Sequence, residues 1–212
     1  MLFEASNQKL GFSGLLTLAY SLAFTSGPQA DGTIIKTEKG KAGSGIKSVT
    51  RYQTPIGFGA NRLLVETSRH TVYVNGRDEW TYFSVEGRLT KQETRYADGH
   101  TVAILNIDAN LPTRFSLAAG DELHLMSDAA DPHPATRTTS AQLDRNGLLA
   151  AVPNAPAGLL STLKPVVSYK ADKSGSTAVT LTTTVITPGA AGRHGYWPRS
   201  STTTRELEVN IR

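Results

Sequence analysis

The side chains best suited to chemistry cluster in the segment Thr113–Pro134, where four acids stand close together. Carboxylates act as general acids or bases, and several of them together hold a hard cation such as Ca²⁺. A tight turn explains the Gly120–Asp121 pair without any partner, because glycine adopts positive φ and aspartate is a favoured turn residue. We therefore interpret this pair as the turn of a β-hairpin, with a calcium site as the alternative. The acids of that alternative are Asp121, Glu122, Asp128 and Asp131.

The remaining catalytic residue types form no recognisable motif. Neither His-x-His nor His-Glu-x-x-His occurs among the five histidines, and no Gly-x-Ser-x-Gly elbow presents a serine. The segment GKAGSG at 40–45 lacks the order of a phosphate-binding loop. We therefore predict no catalytic residue, no metal and no cofactor, and a protein that is not an enzyme. A hydrolase built on a jelly-roll scaffold is the weakest alternative.

A basic segment offers a different kind of contact. The whole chain has a net charge of +4 and a pI near 9.4, which permits a polyanionic partner. Residues 36 to 51 contain five basic residues and one acid, Glu38. We assign the five basic residues as candidate polyanion contacts, with a solvated loop as the alternative. They are Lys36, Lys39, Lys41, Lys47 and Arg51.

Aromatic residues provide two candidate contact surfaces. Trp80 and Tyr82 share one face of a predicted strand, whereas Phe83 lies on the other. These rings could form a stacking platform for a carbohydrate or a base, although core packing is the simpler explanation for at least one face. Tyr196 and Trp197 lie in a Gly/Pro-rich loop, and we assign them as intersubunit contacts or, alternatively, as glycan contacts.

Residues 10–24 form an apolar segment near the N-terminus. The run is short for a membrane span, and Pro28 occupies the −3 position of the obvious cleavage after Ala30, so we expect neither a leader nor a membrane anchor. Large and small residues alternate, which favours a strand over a helix. We predict that residues 1–30 form an arm that packs on a neighbouring subunit. Its contact residues are Leu16, Leu18, Tyr20, Leu22 and Phe24.

The elements that position these residues are predicted to be short strands. Asn75-Gly76 and Asp98-Gly99 each indicate a hairpin with a type I′ turn. The prolines between 127 and 165 predict a long surface loop with one helical turn near SAQLDRNGLLA. We find no repeat of 20 to 50 residues, and the hairpins share no motif.

About ten strands without a helix-sized periodic segment predict an all-β protein. We expect residues 31–212 to form a single β-sandwich domain, a jelly roll in preference to an immunoglobulin-like fold, with long Pro/Gly-rich loops. The chain has no cysteine, so burial and backbone hydrogen bonds must hold this fold without disulfides.

In this combination of features, a Cys-free, Thr/Ser/Ala/Gly-rich β-sandwich with an apolar arm, the chain resembles viral structural proteins, bacteriophage capsid or capsid-decorating subunits in particular. The resemblance implies a structural subunit of the virion that associates with copies of itself or with another capsid protein, and it allows contact with nucleic acid. The alternative function is a glycan- or receptor-binding β-sandwich of a phage tail or adhesin.

Overall fold

The computed structural model describes residues 32–57, 62–128, 135–144, 147–153, 162–189 and 198–212, which form an all-β structure of two sheets. The strands alternate polar and apolar residues and are separated by Gly-, Asn- and Asp-containing turns, as the sequence predicts. They are β1 Ile34–Lys39, β2 Ile46–Ile56, β3 Leu63–Tyr73, β4 Asp78–Phe83, β5 Leu89–Arg95, β6 Thr101–Asn106, β7 Arg114–Leu117, β8 Glu122–Asp128, β9 Thr136–Leu143, β10 Leu149–Ala151, β11 Leu163–Ala171, β12 Gly175–Thr187 and β13 Arg199–Ile211.

The larger sheet has nine strands in the order β1-β2-β3-β4-β5-β6-β8-β11-β10, and the smaller sheet has the order β7-β13-β12-β9. Strands β1 to β6 pair antiparallel with their sequence neighbours, whereas β6 pairs with β8 in parallel. The two sheets make a β-sandwich, which confirms the predicted fold class. The jelly-roll connectivity is not confirmed, because six consecutive strands form a meander.

The core lies between the small sheet and only one half of the large sheet. Large-sheet residues in the core cluster come from β6, β8, β10 and β11, such as Leu105 and Leu125, both almost fully buried. They pack against Val179 and Leu207 of the small sheet. Among the described residues, none from β1 to β5 belongs to this cluster. Within the ranges that the structure describes, these five strands therefore extend beyond the core that the two sheets share.

Three hairpins of the meander end in the same loop. Gly76, Gly87 and Gly99 each donate a backbone hydrogen bond to the residue three positions earlier, over 2.9–3.2 Å. Each glycine has positive φ, whereas no other residue type in the described part of the chain does. The loops are therefore not the predicted type I′ turns, which need two residues with positive φ, but three-residue loops with a glycine bulge. The three hairpins therefore share one turn motif, contrary to the expectation from the sequence.

Two further expectations are corrected by the strand pairing. Gly120–Asp121 is a turn, with Gly120 at φ +94°, but it joins no hairpin: β7 pairs with β13, and β8 pairs with β6 and β11. The turn is a corner between the sheets. The expected loop at 127–165 contains β9 and β10, because the Thr-rich β9 completes the small sheet beside β12.

The division into an arm of residues 1–30 and a domain of residues 31–212 stays a prediction, because residues 1–31 lie outside the described residues. In the described ranges, no helix is long and apolar enough to cross a membrane.

Candidate functional site

An aromatic row lies on the inner face of the meander, just beyond the edge of the small sheet. Trp80 stands opposite His70 on β3 and Glu93 on β5, and Glu93 stands opposite the core residue Ala103. Residues that face one another across antiparallel strands share a sheet face, so Trp80 projects on the core side of the sheet. The small sheet ends before reaching it.

Trp80 stacks with three other rings of this row. The centroids of Trp80 and His70 are 4.2 Å apart with planes at 9°, and those of Trp80 and Tyr52 are 5.7 Å apart. Tyr82 lies 6.2 Å from Trp80. Burial raises the pKa of the Tyr82 hydroxyl above its usual value, with smaller contributions from Glu93 and Tyr52. The sequence correctly placed Trp80 and Tyr82 on one face.

A cleft of about 330 Å³ opens between Trp80 and the small sheet. His70 comes from β3, on one side of β4, whereas most of the cleft residues come from β5, β6 and β7, on the other side. One face of the indole packs on His70, and we infer from this order of strands that the opposite face is turned toward the cleft. The lining residues are Asp78, Trp80, Glu93, Arg95, Thr101, Ala103, Phe115, Ser116, Leu117 and Asp121.

The wall opposite Trp80 is β7, the edge strand of the small sheet. The carbonyls of Thr113 and Leu117 accept hydrogen bonds from β13. Backbone groups of alternate residues point to opposite sides of a strand, so those of Ser116 point away from β13, toward the open edge. The cleft therefore combines an aromatic ring with the backbone groups of a strand that has no sheet partner on this side among the described residues.

The carboxylates that line the cleft are held by neighbours. Asp78 Oδ1 lies 2.5 Å from His70 Nε2, which fixes the imidazole beneath the indole. Glu93 forms an ion pair with Lys91 over 3.2 Å, and the Lys91 ammonium lies 4.5 Å from the Tyr82 ring centroid. These contacts give the site a fixed arrangement of charges around the rings.

The acids of the calcium alternative are not brought together. Asp121 is buried and accepts hydrogen bonds from the backbone nitrogens of Thr101 at 2.8 Å and Ala118 at 2.7 Å. Asp128 stands at the other end of β8, about 23 Å away at the rise of a strand. No group of three or more metal-ligating side chains occurs within the described ranges. Asp131 lies outside them.

One histidine sits in an arrangement that resembles a catalytic triad. His124 Nδ1 is 2.7 Å from Ser168 Oγ, and Nε2 is 3.3 Å from Glu122 Oε2. Ser168 is only 1% exposed and His124 only 4%, so neither can reach a substrate from this position. Burial lowers the pKa of His124 below its usual value, against an opposing effect of Glu122. In this arrangement the group is packed inside the fold and is closed to a substrate.

The five basic residues are distributed over both faces of the sheet. Lys36 stands opposite Arg51 on the outer face, where Arg51 and Arg69 share Glu66 at 3.3 and 2.7 Å. Lys39 is three residues from Lys36 and so points to the inner face. Lys41 and Lys47 are exposed at or beside the turn before β2. Of the five, Lys36 and Arg51 are the two that stand opposite each other in the strand register, so the residues do not form one continuous patch.

The predicted intersubunit contacts lie outside the described residues. They are Leu16, Leu18, Tyr20, Leu22, Phe24, Tyr196 and Trp197. Sequence reasoning missed the cleft residues Glu93, Arg95 and Ser116. The sequence shows that these residues alternate with their neighbours along the strands. It does not show that β7 comes close to β5, because β7 is held in place by pairing with β13, more than 90 residues further along the chain.

The comparisons with known proteins name no function. No protein-family model matches the chain, and no curated protein matches it. A solved structure titled "Solution Structure of Amebosin" is 17% identical over 51% of this chain and 96% of its own, with a TM-score of 0.26. At that TM-score the two folds are not similar enough to support a functional comparison.

Proposed function

We propose that this protein is a non-enzymatic, carbohydrate-binding β-sandwich module. The main evidence is the position of Trp80, whose indole has one face packed on His70 and the other turned toward a cleft with polar and charged walls. The electron-rich face of an aromatic ring attracts the C–H groups of a sugar ring, while its hydroxyls need donors and acceptors nearby. A volume of about 330 Å³ suits a short saccharide.

Binding is favoured over glycoside hydrolysis by the contacts of the carboxylates. A glycosidase uses two carboxyl groups that reach the glycosidic bond from either side. Here each carboxylate that lines the cleft already contacts a group of the protein: Asp78 contacts His70, Glu93 contacts Lys91, and Asp121 accepts from two backbone amides. Each would have to give up that contact before it could act on a bound sugar.

Screening on an array of immobilised oligosaccharides, followed by calorimetric titration of the best ligand, tests this function. We expect Trp80→Ala to abolish binding, and Tyr96→Ala to leave it unchanged. Tyr96 is the matched control because it also stacks on a histidine, His100 at 4.4 Å, yet does not line the cleft.

A second variant separates loss of the site from loss of the fold. Thr101 lines the cleft and shares the inner face of β6 with Ala103, so Thr101→Tyr should fill the cleft while the aromatic row stays intact. We expect this variant to fold and to lose binding. Binding that survives both Trp80→Ala and Thr101→Tyr would contradict the proposal.

Self-assembly into a virus particle is a second candidate, favoured by the open edge of the large sheet. Among the strands that the structure describes, β1 is the last of the nine, so one side of Ile34–Lys39 has no partner strand within the described residues and could pair with a strand from another copy. The partner would be a second subunit or another capsid protein, and the location the virion. Electron microscopy should show closed assemblies that are lost when residues 1–30 are deleted. The same particles from the truncated chain would contradict this role of the arm.

A further inference from the structure

The charges around the cleft differ in whether they already have partners. Three carboxylates line it, and each is engaged within the protein. Asp78 contacts His70 at 2.5 Å, Glu93 contacts Lys91 at 3.2 Å, and Asp121 accepts two backbone hydrogen bonds. These acids are therefore poorly placed to compete for a ligand cation, because each would have to give up an existing contact.

Arg95 is the exception. It is exposed at the end of β5, lines the same cleft, and stands opposite Asp78 in the strand register. No ion pair or hydrogen bond joins its side chain to another residue in the described part of the chain, although the register brings Asp78 near. A guanidinium keeps its charge at any physiological pH and offers five N–H donors in one plane.

The position of Arg95 relative to Trp80 matters for a bound sugar. Glu93 is the cross-strand neighbour of Trp80, and Arg95 follows two residues later on the same face. Its backbone is thus about 7 Å further along the strand, within reach of a substituent on a ring that stacks on the indole. The indole would hold the ring, and the guanidinium would face a group at its periphery.

We propose that the ligand is an acidic glycan, in which a carboxylate-bearing sugar such as a uronic acid pairs with Arg95. This inference rests on the proposed carbohydrate-binding function and adds the class of sugar. A carboxylate is planar and accepts two parallel N–H donors from one guanidinium, a match that a neutral hydroxymethyl group does not offer. Because the three acids already have partners, Arg95 is the charged side chain of the cleft that a ligand of opposite charge would pair with.

The test compares three disaccharides of the same linkage by calorimetric titration. They end in glucuronic acid, in the methyl ester of glucuronic acid and in glucose, so shape is retained while charge is removed. The wild-type protein should bind the acid roughly ten- to a hundredfold more tightly than the ester or the glucose form. A fourth arm with a sulfated glucose shows whether any anion suffices or a carboxylate is required.

Arg95→Gln should remove this preference and leave the affinity for the glucose disaccharide nearly unchanged. Arg95→Lys should retain part of it, because the charge remains and the paired donors are lost. Arg62→Gln is the matched control, since Arg62 is exposed and does not line the cleft. It should bind all the disaccharides like the wild type.

The outcomes separate the two proposals. Trp80-dependent binding of the acid and the ester with equal affinity, or an Arg95→Gln effect of the same factor on every sugar, overturns the acidic-glycan inference and leaves carbohydrate binding intact. A preference for the sulfated arm over the carboxylate arm also overturns it. If no disaccharide binds and no array sugar does, both proposals fail together.

Discussion

At the scale of single residues, Asp121 holds the corner between the two sheets with both carboxylate oxygens. One oxygen accepts from the backbone of Thr101 on β6 and the other from Ala118 after β7. The sequence predicted the turn from Gly120 and Asp121. It could not predict the burial of Asp121, because Thr101 is 20 residues away and is brought close only by strand pairing.

We predict that Asp121→Ala lowers the free energy of unfolding by about 2–4 kcal/mol. Two backbone donors would lose a charged acceptor, and each such hydrogen bond contributes about 1.5–3 kcal/mol, less at the exposed Ala118, where water can replace the carboxylate. Urea denaturation measures the change. Asp172→Ala, at an exposed turn position, should stay within about 0.5 kcal/mol of the wild type. Equal effects of the two substitutions would contradict this role of Asp121.

His124 should make stability depend on pH. Burial lowers its pKa in the folded protein below the usual 6.5, so the unfolded chain takes up a proton first as the pH falls. The free energy of unfolding should therefore decrease below about pH 6.5 and level off below the folded-state pKa. Denaturation of wild type and His124→Gln from pH 8 to 5 measures this. A slope that persists in the variant would assign the effect to other groups.

At the scale of elements, the meander was more predictable than the small sheet. Hairpin strands are joined by short loops, so Asn75-Gly76 and Asp98-Gly99 located two of the turns of the meander from the sequence. The hairpin at Gly87 was not recognised, because Glu86-Gly87 is a weaker turn signal than Asn-Gly or Asp-Gly. The strand β9 was expected to be loop, because nearby prolines masked the alternation of Thr136–Leu143, which forms a strand once β12 lies beside it.

The shared hairpin loop predicts the cost of replacing its glycine. Gly87 has φ +78°, and a Cβ there would meet no atom within 4 Å, so only backbone strain opposes a side chain. We predict that Gly87→Ala lowers the free energy of unfolding by about 1–2 kcal/mol. Gly87→Asn should cost less, because asparagine tolerates positive φ. Val85→Ala in the same loop serves as the control, and a loss as large there would contradict the explanation.

At the scale of the whole molecule, the described part of the small sheet covers about half of the large sheet. Core residues such as Leu123 and Leu181 are fully buried, whereas most residues of β1 and β2 are exposed or half-buried. The sequence indicated a sandwich, but not how far one sheet extends past the other. That extent depends on which strands β7 and β13 approach, and it creates the Trp80 cleft.

This asymmetry predicts a gradient of local stability. Amide hydrogen exchange should be slowest in β6, β8, β12 and β13, which pack on both sides of the core, and fastest in β1 and β2. Strands with few buried apolar contacts open at lower free energy than the core does. Mass-spectrometric hydrogen exchange of the whole chain checks this. Equal protection of β1, β2 and the core strands would contradict the predicted gradient of stability.

The most direct measurement of the central claim is Trp80 fluorescence during titration with a bound oligosaccharide. The chain has two tryptophans, so Trp197→Phe leaves Trp80 as the sole indole reporter. We predict a saturable change in Trp80 emission, with the same dissociation constant as calorimetry gives. Oligosaccharide binding that leaves Trp80 emission unchanged, or that is lost in Trp197→Phe, would place the sugar elsewhere and contradict the account.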